Sequence, residues 1–334
     1  VSTFSPGSNW SSAVTGVATV AGTGMVHGVS VGTSQIATTI FGPTYFEYEY
    51  QPGVKVTCPK EYIGPAGPAN VISLTQSPGS LNMSRGDTNK TIAVTVNPSG
   101  AIASNLVFTT ALQSNPNSAS PASLSIPGAS SISGTQNFTI SVSGTNSPSG
   151  IFLAHSCASG ACSANTTINI PPQVLIQMMQ AEAGGTGNST LMQALGDVAQ
   201  NRIHSTIFNP PYSNYQNTIV SGQFATTATS TGIQPELDLS VNVFVGPPGR
   251  FCNALAFWTP TSTQWQTVQA AISSGTTTFP SGTGAPTFAS WSNQNQQILF
   301  MSSVGTQSNG APNFLFLAFR NSTQTAAVTA SCSP

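Results

Sequence analysis

The sequence predicts a multidomain chain in which all-β sandwiches are followed by a mainly α (α+β) domain. Three observations predict it. The chain has 334 residues, and domains run to roughly 100–200 residues each, so two or three are expected. Up to Ile170 the apolar residues alternate or cluster in short runs cut by Gly, Pro, Asn and Ser, the pattern of strands and turns. From Pro171 they recur every three to four positions, the pattern of helices.

Composition narrows the setting. Charged residues make up 4% of the chain, where about 25% is usual. Such depletion is usual in membrane proteins, yet no run of about 18 apolar residues is present, so no transmembrane helix is expected. Ser, Thr, Asn, Gln and Gly fill the space instead, a neutral hydrogen-bonding surface that fits a secreted or cell-surface protein. The net charge is −1, which steers the chain toward neither nucleic acid nor an anionic membrane. No signal peptide is visible at Val1.

Taken in order, residues 1–56 read as β. The run VATV, GTG, MVHGVSVG fits two strands joined by a Gly turn. Residues 57–70, TCPKEYIGPAGPAN, are rich in Pro and Gly and read as a linker. Residues 71–170 restart as short alternating strands at sandwich spacing. Arg85–Gly86–Asp87 within them reads as a strand-joining turn. Residues 171–334 form the last domain. PPQVLIQMMQAEAGG has Pro at a helix start and Gly at its end, with Val174, Leu175, Met178 and Met179 on one stripe. TLMQALGDVAQNRIH repeats the pattern with Leu191, Leu195, Val198, Ala199 and Ile203. SNYQNTIVSG and QWQTVQAAIS read as further helical pieces, QQILFMSS and NFLFLAF as strands.

Five cysteines are present. Cys157 and Cys162, in CASGAC, read as a hairpin disulfide, because no His or Cys cluster completes a metal site there. Cys252 and Cys332 are available to pair within the last domain, and Cys58 is left over. Asn-x-Ser/Thr acceptors at Asn9, Asn82, Asn89, Asn137, Asn165, Asn188 and Asn321 are common by chance in so Asn-, Ser- and Thr-rich a chain. No metal-ligand spacing and no cofactor motif is found.

The last domain holds four carboxylates, Glu182, Asp197, Glu236 and Asp238. Glu182 stands at the last turn of its helix, just before Gly184 and Gly185. The helix dipole favours cations at that end, so stability does not explain a carboxylate there. Partial burial at a cleft edge would suit it to acid–base work. Asp197 reads as a surface charge or structural ion pair, and Glu236 and Asp238 stay open as partner carboxylates. Arg202 reads as a tie between helices and loops, and His204 as a surface or capping residue. Gln223, Phe224, Tyr212, Tyr215, Phe257 and Trp258 are candidates to line a cleft.

Two resemblances add to this reading. Trp10, Ser11, Ser12, Val17 to Val20, Gly24, Val26, Gly28, Val29, Gly32 and Thr33 resemble the second half of bacterial immunoglobulin-like (group 2) domains. The second sandwich also resembles such a module. A half sandwich leaves an uncovered core, so a neighbouring subunit or an upstream segment is expected to complete residues 1–56. Ala181, Glu182, Ala183, Gly185, Asn201, Arg202, Ile203, Asn217, Thr218, Ile219, Val220, Gln223 and Phe224 resemble the cell-wall hydrolase family of the spore-cortex-lytic enzymes. ALAFWTP from Ala254 to Pro260 and NFLF from Asn313 to Phe316 resemble its later segments. That resemblance implies a lysozyme-like fold, peptidoglycan glycan as the substrate, Glu182 as the catalytic acid/base, lytic transglycosylase or muramidase chemistry, and Asn201 and Arg202 as structural residues. The family's second acidic residue after the catalytic Glu has no match in Gly184 to Gly187. The alternative is a non-catalytic surface adhesin, glycan-binding protein or filament subunit.

Overall fold

The computed structural model describes residues 9–51, 54–63, 67–116, 120–145, 147–183, 188–205, 211–220, 224, 234–274, 298–303, 308 and 313–319. It corrects the predicted fold class. Among the described residues twenty strands stand against six helices, so the molecule is mostly β-sheet. The expected mainly α, lysozyme-like domain after immunoglobulin-like sandwiches does not describe it. The helices are short, the longest having 16 residues. The physical reason lies in composition. A chain with few Glu, Lys and Arg lacks strong helix formers and i,i+4 ion pairs, and its abundant Thr, Ser, Val and Asn favour other conformations.

The first unit is built from β1 (Asn9–Ser12), β2 (Ala18–Val20), β3 (Val26–Gly28), β4 (Gly32–Gln51), β5 (Val54–Ile63) and β6 (Gly67–Val71). β4 is central: β1 pairs with it over Ile36 to Thr39, and β6 over Gly32 to Ile36. β5 pairs with its distal half, from Thr39↔Ile63 to Gln51↔Val54. β2 and β3 form a separate hairpin. The stretch expected as a linker, 57–70, therefore carries strand pairing in β5 and β6. Among the residues of this unit whose side chains are described, Ala18 and Ile36 are buried.

A two-sheet sandwich follows. Its strands are β7 (Ser73–Ser77), β8 (Ser80–Asn82), β9 (Thr91–Asn97), β10 (Ile102–Ser114), β11 (Ser123–Ser125), β12 (Ala129–Ser133), β13 (Thr135–Thr139), β14 (Ser141–Ser143), β15 (Gly150–Ala158), β16 (Ala161–Cys162) and β17 (Thr166–Ile170). One sheet has the order β13-β9-β7 and the other β12-β10-β15-β17-β8. Burial alternates strictly along β9 and β15, the two-residue period of a strand with one face inside. Ile92, Val94 and Val96 thus meet Phe152, Ala154 and Ile168 in one core. Cys157 and Cys162 are register partners and are joined by a disulfide. Beside them Gln76 donates to Thr166 Oγ1 at 2.8 Å and accepts from Ser163 Oγ at 3.0 Å, so the buried polar groups there are satisfied.

The C-terminal unit comprises α1 (Gln173–Glu182), α2 (Ser189–His204), α3 (Tyr215–Val220), α4 (Gln234–Val245), α5 (Arg250–Asn253), β18 (Ala256–Trp258), α6 (Ser262–Ser273), β19 (Ile298–Ser303) and β20 (Leu315–Phe319). The strands form an antiparallel sheet ordered β18-β20-β19. α2 is the central helix: every residue from Leu191 to Arg202 is buried, as expected of a helix packed on all sides. Asn188 caps it by accepting from the Leu191 amide at 2.9 Å. The unit is seated on the sandwich. Ser147, from a sandwich loop, accepts the orphan Val174 amide of α1 at 2.9 Å. Asn82 donates to Asp238 Oδ1 at 2.8 Å, and Ile151 of β15 packs against the helical core.

Candidate functional site

Three consecutive polar residues of α2, Gln200, Asn201 and Arg202, organise this unit. Asn201 donates from Nδ2 to the Arg250 and Ala254 carbonyls at 2.9 and 3.1 Å and accepts the Gly249 amide at 2.8 Å. Gln200 donates to the Gly246 carbonyl at 2.7 Å. Arg202 donates from Nε to the Leu255 carbonyl at 2.6 Å. The chain they hold bends sharply: Gly249 sits at φ 85°, Phe251 at 49° and Asn253 at 58°. Backbone of this kind persists only where its surroundings fix it, and Asn201 supplies that fixation.

Arg202 is buried, 2% exposed. Its guanidinium carbon lies 4.5 Å from the centroid of the Phe224 ring, cation–π geometry. Burial pushes the guanidinium down to about 10, opposed by the negative ends of Tyr212 and Glu182. Glu182 therefore lies within electrostatic reach of Arg202. It is half-buried at the last residue of α1, while Ala183 beyond it is inside. Phe224 packs against Phe257 at 5.6 Å between centroids, and Phe257 lies 6.0 Å from both Phe314 and Phe316. Glu182 is thus a carboxylate at a helix end, within electrostatic reach of a guanidinium that rests on an aromatic ring.

Asp197 belongs to a different centre. It is fully buried, and burial raises its carboxyl to about 6 against the pull of Arg250 and of the Gln193 amide. Gln193 donates to Oδ1 at 3.1 Å, Arg250 Nε stands 3.8 Å away, and Oδ2 has no hydrogen-bond partner among the described residues. Burial and the nearby Asp197 together raise the Tyr215 phenol. Asp197 is sealed in the core rather than on the surface.

The other sequence candidates separate into core and rim. Tyr215 and Phe224 are buried, 2% and 6% exposed, and pack in the helical core rather than presenting a ring to solvent. Phe257 and Trp258, on β18, and Tyr212 are half-buried, and His204 is exposed. Glu236 lies in the first turn of α4, where the helix dipole favours a carboxylate, and Asp238 holds Asn82. Gln223 and Cys332, and the side chains of Cys252 and Cys58, lie outside the described residues. Sequence reasoning missed Gln193, Gln200 and Arg250. Arg250 carried a signal: in a chain with seven basic residues, each one is worth placing.

No group of His, Cys, Asp and Glu among the described residues is arranged to hold a metal ion. No helix among them is long and apolar enough to cross a membrane. The Cys157–Cys162 bridge fits an oxidising, extracytoplasmic setting, that of a surface or extracellular protein.

No protein-family model matches the chain, and no curated protein matches it. Among solved structures, domains 4 and 5 of the S-layer protein SbsC are 17% identical, with 49% of this chain and 70% of that one covered and a TM-score of 0.22. A longer SbsC structure, rSbsC(31-844), is 16% identical over 49% of this chain and 20% of its own, with a TM-score of 0.21. Likeness at that level establishes no shared fold.

Proposed function

We propose that the chain is a secreted or surface enzyme that cleaves the glycan strands of peptidoglycan, with Glu182 as its general acid/base. The observation that carries the reading is the setting of Glu182, half-buried at the end of α1 and within electrostatic reach of the buried Arg202 guanidinium. The motif resemblance around Glu182, Asn201 and Arg202 supports it. A two-carboxylate hydrolase needs a partner within about 5–9 Å. Asp197 is sealed away from any substrate, and Asp238 is engaged with Asn82. Glu236, in the first turn of α4, is the other carboxylate still open as a partner, and with Asp197 and Asp238 set aside we favour chemistry that needs one carboxylate. As a transglycosylase, Glu182 gives its proton to the glycosidic oxygen as the C1–O bond breaks. It then takes the proton of the muramic C6 hydroxyl as that oxygen bonds to C1, closing a 1,6-anhydro ring. Arg202 acts on this step as a positioning residue, and Phe257 and Trp258 offer ring faces to the sugars.

The test is digestion of purified peptidoglycan with analysis of the released muropeptides. Anhydro-muramic ends are expected from the native chain, and Glu182→Gln should abolish them while leaving the melting temperature within a few degrees. A second reading rests on the same pair: a carboxylate beside a guanidinium is also a structural ion pair. It makes the chain a non-catalytic glycan-binding, adhesive or filament protein. Binding to peptidoglycan without release of any fragment would establish that reading and end the enzymatic one.

A further inference from the structure

In the sandwich, β10 outruns the strand beside it. On one side β15 accompanies it from Val107↔Cys157 to Ser114↔Ile151. On the other side β12 stops at Leu106↔Ala129. The edge from Val107 to Gln113 is therefore left without a strand among the described residues. Hydrogen-bond parity shows what that edge presents. Along an antiparallel pair, residues alternate between bonding their partner and turning away from it. The Ser156 amide donates to Ser163 Oγ at 3.0 Å, and the Ser156 carbonyl accepts the Ser163 amide at 2.8 Å. Ser156 thus turns away from β10, and its register partner Phe108 turns away from β15. Thr110 and Leu112 follow with the same parity. The amides and carbonyls of these three residues point to the open edge.

Proteins usually blunt such an edge with charge, proline or a covering segment. No charged residue and no proline lies between Ile102 and Ser114. Val107 is 55% and Leu112 44% exposed, and Thr109, Ala111 and Gln113 are exposed beside them. A row of unpaired backbone groups takes an extended strand as its complement. Length and register name that strand. A strand docked from Val107 onward must end before Leu106, where β12 occupies the edge. β10 itself ends at Ser114, with Pro116 just beyond. Opposite residues of an antiparallel pair share a face, so a two-fold axis relating two such strands falls on a residue. With the axis at Thr110, the partner's Gln113 stands opposite Val107, and β10 fills its own gap end to end. Thr110 then meets the partner's Thr110, and Phe108 meets the partner's Leu112 in both directions. Each residue with open backbone groups faces another, which gives about six hydrogen bonds. Phe108 already packs on Phe138 at 5.1 Å between centroids, and Leu112 is the register partner of the buried Phe152. The Phe108–Leu112 contacts thus extend the core from one sandwich to the other, and no like charges meet.

We propose that two copies of this chain pair edge to edge through β10, antiparallel and centred on Thr110, so that their sandwich sheets become one. The inference uses no residue of the Glu182 site and stands whether or not that site cleaves glycan.

Sedimentation velocity on the full chain tests it, with a dimer expected at micromolar concentration. Thr110→Pro removes an amide that faces the open edge and leaves the β15 ladder intact, so a folded monomer is expected. Thr110→Lys sets two like charges at the axis and should give a monomer as well. Melting temperature and sheet ellipticity close to those of the native chain show that the variants are folded. Thr110→Cys should give a disulfide-linked dimer under mild oxidation, because directly opposed residues of a bonded pair stand about 5.5 Å apart at Cα. Thr109→Cys, which lies diagonal to itself across the axis, should not link. That readout does not depend on how the Pro and Lys variants fold. A native chain that stays monomeric overturns the proposal. So does a dimer that survives both folded substitutions, or a Thr110→Cys chain that links no more than the native chain or Thr109→Cys.

Discussion

At the scale of single residues, Asp197 is the most consequential side chain outside the proposed site. Burial pushes its carboxyl up to about 6, above the ordinary aspartate range. A raised acid pKa means that the folded state holds the proton more tightly than the unfolded chain. The corresponding stability is fully present below pH 4 and is lost as pH rises through 6. Two pH units correspond to about 3 kcal/mol at most. Asp197→Asn keeps the shape and an oxygen for the Gln193 amide while removing the titration. Thermal melts should therefore show the variant equal to the parent near pH 4 and more stable by a few degrees at pH 7–8. An unchanged pH profile would mean that Asp197 does not titrate in this range. Glu182 and Asp197 also show what can be read from letters alone. The position of Glu182 before two glycines was legible, because helix ends leave a local signature. The burial of Asp197 was not, because it depends on Arg250 and Tyr215, distant in sequence.

At the scale of elements, the packing of α2 against its neighbours rests on Gly196. A Cβ there would stand 2.6 Å from Val243 Cγ2 and 3.1 Å from Met179 Sδ. Val243 is β-branched and stiff at χ1, so α4 cannot yield by a rotamer change. Gly196→Ala gains about 1 kcal/mol of helix propensity. It costs about 1–3 kcal/mol of overpacking where α1, α2 and α4 meet. Net destabilisation of up to about 2 kcal/mol is expected in urea unfolding, whereas a solvent-facing helix position would give the opposite sign. α1 and α2 were legible from their three-to-four-residue apolar period and Gly boundaries. α4 was not, although Pro235 and Glu236 mark a helix start, because VNVFV reads locally as an alternating strand. The Pro/Gly run 57–70 misled in the other direction. Those residues are turn formers in isolation, but β4 supplies a long strand for them to pair with.

At the scale of the whole molecule, the β-first order and the surface setting were legible in composition and periodicity. The proportion of sheet was not, since short helical windows look alike in a helical domain and in a mixed one. The sandwich and the C-terminal unit meet through few but specific links. Ser147 caps α1 from the sandwich, Asn82 reaches Asp238 on α4, and Ile151 enters the helical core. With 4% charged residues, long-range electrostatics add little, so the coupling is carried by these contacts. The Ser147 bond is the strongest candidate because the Val174 amide is buried and has no other route to an acceptor within the first turn. Ser147→Ala should cost about 1–2 kcal/mol, and the loss should fall on α1. Calorimetry of the native chain should show the sandwich and the C-terminal unit melting together. In the variant the C-terminal unit should melt first, seen as an early loss of helical ellipticity at constant sheet signal. Two well-separated transitions in the native chain would show that the units unfold independently and that the Ser147 cap is a local contact only.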